Sequence, residues 1–403
     1  MVIQPELRRH WWVALVAFAV AAAVTVTIAL SQSPSVAKPL DWPASRPTVA
    51  ASQPGLKIGV AYGDTLPFLS DQALASALDD AVALGAKWVR VDLSWEDIQP
   101  DSPDRYQWQR FDRVAEAAQK RGLQILAVVG YTPPWARPST CRNDQACAPA
   151  DPAAFAAFAH KAAARYSAMG VHTWEIWNEE NILFWKPKPD PVGYTRLLKL
   201  TAAAVRSADG QATVVMGGLA AVSADSKAPR IPQDRFLAAV ARLGGTKVVD
   251  AVAYHPYTYP YLPSARTTFG TAFEKISSTS DSLVSVLTEY GTPDLPIWLT
   301  ETGAPTNGPG AASDGVHIPP DTTHVTEAFQ AAIAADTVPA AAANPHVAAV
   351  FWFADQDTGT DRTDPAAFFG LRRIDGTAKP SFAALKNAIT TYEESLTGRS
   401  WVK

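Results

Sequence analysis

From Lys57 onward, short runs rich in Val, Ile and aromatic residues alternate with Ala-rich segments whose apolar positions recur at helical spacing. The runs KIGVAYG (57–63), KWVRVDL (87–93), LQILAVVG (123–130), VHTWEIWNE (171–179), ATVVMGGL (212–219), VVDAVAYH (248–255), LPIWLTE (295–301) and HVAAVFWF (346–353) read as strands. Gly85, Gly122, Gly170 and Gly210 each follow a periodic run, where a glycine C-cap ends a helix. The last helix is expected near 381–392. Eight such strand–helix units predict the α/β class and a (β/α)8 TIM barrel forming a single catalytic domain. The structural rival is a doubly wound open sheet, but no GxGxxG turn follows the first strand.

The pattern changes before Lys57. Trp11 to Leu30 carries no charge and follows Arg8, Arg9 and His10, while 31–56 is rich in Pro, Ser and Ala without periodicity. Three regions follow: a hydrophobic N-terminal segment (1–30), a linker (31–56) and a barrel domain (57–395). The first is long enough to span a bilayer through residues 11–30. It reads either as a retained membrane anchor or as a signal segment cleaved near Ala37. Both readings export the remainder of the chain, tethered to the cell surface or secreted.

Composition narrows the partners. A net charge of −4 with no Lys/Arg run argues against nucleic acid. Cys141 and Cys147, the chain's two cysteines, lie close together in a polar loop and in an exported protein would pair as a local disulfide. With no histidine near them and no HxH pair in the chain, neither a metal site nor any cofactor is expected. The segments after the predicted strands are long and aromatic, among them YTPPWARPST, NILFWKPKPD and PYTYPYLPSARTTFG. Such loops suit flat sugar faces, although tryptophans there also serve to pack loops on the barrel rim. Oligomeric state is not readable.

Barrel active sites form at the C-terminal ends of the strands. Glu179 closes the fourth predicted strand and Glu301 the seventh, so a closed barrel sets them across its mouth. An acid facing a carboxylate is the equipment for cleaving a glycosidic bond. WEIWNEEN (174–181) and IWLTETG (297–303) resemble the clan of retaining (β/α)8 glycoside hydrolases, most closely families 39 and 5, over about Lys57 to Tyr392. The resemblance implies that Glu179 is the acid/base and Glu301 the nucleophile of a glycosidase acting on a carbohydrate. It further implies that Arg90 holds Glu301 ionised, that Asn178 binds the sugar 2-hydroxyl, that His255 and Tyr257 line the cleft with Tyr257 donating to Glu301, and that Trp352 is the aromatic platform. Glu175 is expected to be a buried barrel residue on the same side of its strand as Trp177 and Glu179. Glu180 departs from the family, where proline often follows the acid/base. It either points into the cleft, raising the pKa of Glu179, or faces solvent. The rival readings are a non-catalytic carbohydrate-binding barrel at the cell surface, a transglycosylase of the same fold and a metal-dependent barrel hydrolase.

Overall fold

The structure, a computed structural model, describes residues 55–223 and 228–399. The hydrophobic segment and nearly all of the linker lie outside these residues. Among the described residues, no helix is long and apolar enough to cross a membrane.

Eight parallel strands close into a barrel in chain order. They are β1 (Lys57–Ala61), β2 (Trp88–Ser94), β3 (Gln124–Gly130), β4 (Thr173–Asn178), β5 (Thr213–Ala220), β6 (Ala251–His255), β7 (Ile297–Thr302) and β8 (Val347–Phe353). Pairing of β1 with β8, from Lys57↔Ala349 to Ala61↔Phe353, completes the ring. Each predicted run overlaps its strand, with β2, β5 and β7 extending one residue beyond theirs, so the barrel is the architecture that the alternation predicts.

The longer helices outside the ring are α1 (Asp71–Leu84), α2 (Gln109–Gln119), α3 (Pro152–Tyr166), α4 (Pro191–Ala208), α5 (Gln233–Arg242), α6 (Leu283–Glu289), α7 (Glu327–Ala343) and α8 (Pro380–Arg399). Local chemistry sets their ends. Ser70 accepts a hydrogen bond from Ala73 N to start α1, and Gly85, at φ 89°, ends it in the left-handed conformation. Between those caps Leu74, Ala77, Leu78, Ala81 and Leu84 form the buried stripe. Asp-Pro pairs begin α3 and α4, with Asp151 and Asp190 each accepting from a first-turn N–H. Gly210 is not the cap that the sequence predicts. Helix α4 ends at an extended Asp209, whose carboxylate accepts from Gln211 N and faces His172 Nδ1 at 2.8 Å.

Two apolar layers result. One packs the helices on the outside of the ring, with Leu78 of α1, Phe155 and Phe158 of α3 and Leu197 of α4. The other fills the barrel from inside with Leu126, Val215, Ala253, Trp298 and Phe351, where the Trp88 ring meets Trp298 edge-on at 6.0 Å. This plug fills the lower barrel, where Lys57 Nζ lies 5.4 Å from the centre of the Trp298 ring, and the polar residues of the site lie above it, towards the strands' C-terminal ends. Cys141 and Cys147 form a disulfide in the loop after β3.

Candidate active site

Strand alternation, broken at Trp177 on β4 and at an irregular register on β7, brings the polar residues of the site together. On β2, Arg90 and Asp92 share a face; β4 contributes Glu175 and Asn178; β6 contributes His255; β7 contributes Thr300 and Glu301. Arg90 is the hub. Its Nε and Nη2 each donate to Glu175 at 2.9 Å, Nη2 also donates to Asn178 Oδ1 at 2.6 Å, and Nη1 donates to Glu301 Oε1 at 2.6 Å. The guanidinium is 1% exposed and Glu175 is fully buried, so each charge depends on the other.

Glu301 receives a second bond, 2.7 Å from the Tyr257 hydroxyl to Oε2. Burial by itself pushes its pKa up, but His255, Arg90 and Tyr257 together hold it below the ordinary glutamate value. Glu179 moves the other way. Burial raises it, and the hydrogen bond to His255 only partly opposes this. His255 Nδ1 lies 3.0 Å from Glu179 Oε1 and 3.6 Å from Glu301 Oε2. Its Nε2 lies 3.0 Å from Thr300 Oγ1, whose own hydrogen goes to Glu175. Nε2 is therefore the donor there, and one proton is shared between Nδ1 and Glu179. Ligand atoms of Glu179, His255 and Glu301 all lie within 4.8 Å of one another. A divalent cation could use such a set, but the Arg90 guanidinium bonded to Glu301 opposes a second positive charge there.

The backbone pays a conformational cost for this arrangement. Trp177 has φ 74° and Glu179 φ 47°, left-handed values that bulky side chains rarely adopt. The turn at Trp177 corrects the expected alternation: Trp177 does not share the face of Glu175. Its ring leaves the barrel, packs 5.1 Å from Trp185 and 5.8 Å from Phe155, and donates Nε1–H to Phe184 O at 2.7 Å.

Two glycines on β5 make room on opposite faces. A Cβ at Gly218 would fall 2.0 Å from His255 Nε2, and one at Gly217 would fall 2.4 Å from Glu180 Oε2. Gly218→Ala must therefore move His255, and with it the proton shared with Glu179. The expected outcome is a fall in kcat of about 100-fold, the scale of an ångström-sized misplacement, with a cooperative unfolding transition retained. Steady-state kinetics and circular dichroism together check it.

Glu180 takes neither of the two positions expected from the sequence. It is fully buried behind the barrel, against Gly217 and Tyr194, and neither carboxyl oxygen has a hydrogen-bond partner. The Tyr194 hydroxyl spends its hydrogen on Ile176 O and accepts from Gly217 N. Burial foremost, with the charges of Glu175 and Glu179, raises the Glu180 pKa from 4.5 to about 8. A carboxyl whose folded pKa exceeds its unfolded value holds its proton longer when folded, so stability is fully present at low pH and is lost as pH climbs towards about 8. The expected loss approaches about 1.4 kcal/mol per pH unit across that window. Glu180→Gln, neutral at every pH, should flatten this part of the profile, as read from urea unfolding between pH 5 and 8.

The structure brings Arg90, Asn178, Glu179, His255, Tyr257 and Glu301 into one cluster. It does not bring Trp352 there. That ring is 1% exposed in the layer between barrel and helices, because alternation along β8 turns Phe351 and Phe353 inward instead. Phe353, at the rim, is the aromatic residue that faces the mouth. Asp92 is a further polar residue of the mouth that the motifs do not reveal. It is 6% exposed, and burial, opposed by Arg90, raises its pKa to about 7. Its signal was period two from Arg90.

Residues 52–355 match the family described as Cellulase (glycosyl hydrolase family 5). No curated protein matches the sequence. Among solved structures, the chain is similar to a family 39 glycoside hydrolase from the gut symbiont Bacteroides cellulosilyticus WH2, at 24% identity and TM-score 0.63, covering 83% of this chain and 64% of that one. It is similar to GH5_18 from Streptomyces cattleya, solved in complex with GlcNAc, at 19% identity and TM-score 0.61, covering 85% and 81%. A glucosidase from Croceicoccus marinus matches at 17% identity and TM-score 0.59, covering 84% and 68%. At these identities the likeness is one of fold. The chain spans 64% of the length of the Bacteroides enzyme.

Proposed function

The chain belongs to the cellulase family, glycosyl hydrolase family 5, and from that premise we propose that it is an exported, retaining glycosidase of a β-linked poly- or oligosaccharide, with Glu301 as nucleophile and Glu179 as acid/base. The observation that carries this reading is the close approach of two carboxylates whose pKa values are driven apart. Ligand atoms of Glu179 and Glu301 lie within 4.8 Å of each other, which supports the close spacing of about 5–5.5 Å used in double displacement over the wider gap of an inverting pair. Glu301, held ionised, attacks the anomeric carbon as Glu179 gives its proton to the leaving oxygen. Glu179 then takes a proton from the water that releases the sugar. Asn178 spends its carbonyl oxygen on Arg90, leaving its amide NH2 as a donor to the sugar 2-hydroxyl. The disulfide and the apolar run at residues 11–30 support export, either tethered or secreted.

The test is a panel of β-glycosides and envelope polysaccharides, with the first-formed product anomer read by NMR. Retention supports the reading, and an inverted product overturns it. In the same assay, kcat/KM should show an acidic limb below and a basic limb above the ordinary glutamate value of 4.5, as macroscopic constants of the coupled pair. Glu179→Gln should lose the basic limb and cost about 10²–10⁴-fold on substrates with poor leaving groups. EDTA should leave turnover unchanged.

A further inference from the structure

A cavity of about 560 Å³ opens between the end of β1, helix α1 and the segment following β8. Phe353 and Phe369 belong to its wall, and the Phe369 ring lies 5.4 Å from Tyr257, the residue bonded to Glu301. The cavity therefore adjoins the mouth of the barrel. Tyr62, Phe68, Leu69 and Ile374 add apolar surface, and the volume lies in the range of small-ligand sites.

Its charged groups are unequally served. Arg372 donates Nε and Nη2 to Asp80 and Nη1 to Gly376 O. Asp357 accepts from Lys379 Nζ at 2.7 Å and from Gly370 N at 2.9 Å. Asp355 is different: it is 6% exposed, and its Oδ1 has no hydrogen-bond partner. Burial and the neighbouring Asp80 raise its pKa to about 7, against the pull of Arg372. A buried carboxylate with an unserved oxygen is costly unless a ligand that reaches the part of Asp355 in the cavity wall supplies a donor or counter-charge.

We propose that this cavity is a subsite for a sugar unit bearing a free amine, selected by an ion pair between its ammonium group and Asp355. The inference rests on the glycosidase reading and adds to it the class of sugar bound beside the cleaved bond. A hydroxyl would supply a donor without charge. An ammonium supplies both, in a site whose Arg372 is committed to Asp80 and whose Asp357 is held by Lys379 from outside the cavity wall. An N-acetyl group removes the charge, and a uronate meets like charge on Asp355. The apolar walls take the faces of the sugar ring.

The probes are the β-1,4 tetramer of glucosamine, its N-acetylated form and cellotetraose, bound to Glu301→Gln and measured by calorimetry. The expected result is at least about tenfold tighter binding of the glucosamine tetramer than of either other probe, falling to within about twofold when Asp355→Asn is added. Ser76→Trp, at an exposed α1 position on the cavity wall, supplies an independent block should Asp355→Asn fail to fold, and should abolish the preference by filling the cavity. Equal binding of the three tetramers, binding of none, or a preference that survives both changes overturns the inference. Hydrolysis by the unaltered enzyme across the wider panel is read separately. Turnover without amine preference sinks the subsite alone, and absence of turnover sinks the glycosidase reading.

Discussion

Glu301→Gln is expected to lose at least about 10⁴-fold in turnover, the scale for removing a covalent nucleophile, while unfolding at nearly the same denaturant concentration as the unaltered protein. The two halves of this expectation come from different bonds. The amide keeps the shape of the carboxylate, and Arg90 retains its fork on Glu175 and its bond to Asn178. Chemistry has no such substitute, since a neutral amide cannot displace the leaving group. A further readout separates nucleophile from scaffold. In Glu301→Ala the vacated space admits azide, which should restore turnover on an activated aryl glycoside and yield a glycosyl azide of inverted configuration. Near-normal turnover by Glu301→Gln, or azide products of retained configuration, would remove the assignment.

Arg90→Met is expected to carry the largest stability loss. Arg90 is 1% exposed and holds the fully buried Glu175 by two bonds. Removing one partner of a buried pair leaves an uncompensated charge, at a cost of about 3–5 kcal/mol. Activity should fall as well, because Glu301 loses a cation that keeps it ionised; the surviving activity should shift its acidic limb upward in pH. Arg90→Lys should not rescue either property, since an ammonium cannot reach Glu175 by a fork and Glu301 at once. The double change Arg90→Met/Glu175→Leu removes both buried charges and should regain much of the stability but none of the activity. Urea unfolding and pH–rate profiles check the set. An Arg90→Met variant as stable as the parent would show that Glu175 finds another partner.

The barrel was legible because β-branched and aromatic runs of strand length, bounded by turn residues, recur eight times with helical spacing between them. Strand ends were less so: the sixth predicted run begins three residues early, since Val248 closes a short helical turn before β6. The features hidden from sequence are those where backbone geometry overrides period two. Left-handed φ at Trp177 sends that ring outward. An offset of one residue separates the buried Trp352 from the rim residue Phe353. Glu180 was misjudged because charge usually means exposure, and nothing local announces that Gly217 clears a space for it. Glu175 was read correctly as buried, but its partner lies 85 positions away on β2. Pairing across strands depends on barrel closure, which spacing along the chain does not encode. Asp92 could have been found by extending alternation from Arg90, but Thr300 adjoins Glu301, and only the irregular register of β7 between Leu299 and Thr302 lets both contribute to the site.

The Arg90 hub also fixes the electrical balance of the mouth. Glu175 and Glu301 are negative, Arg90 is positive, and one proton shared by Glu179 and His255 leaves that pair neutral. These five groups thus carry one net negative charge, opposite to the single positive charge of an oxocarbenium-like sugar. Once Glu301 is esterified on the proposed path, that surplus is gone from its side of the cleft. Burial still raises Glu179, but the added push from the Glu301 charge disappears with it, so the residue stays ionised more readily at the stage when it has to act as base. One guanidinium committed to two carboxylates gives the site a different charge state for each half of the reaction, without any strand having to move.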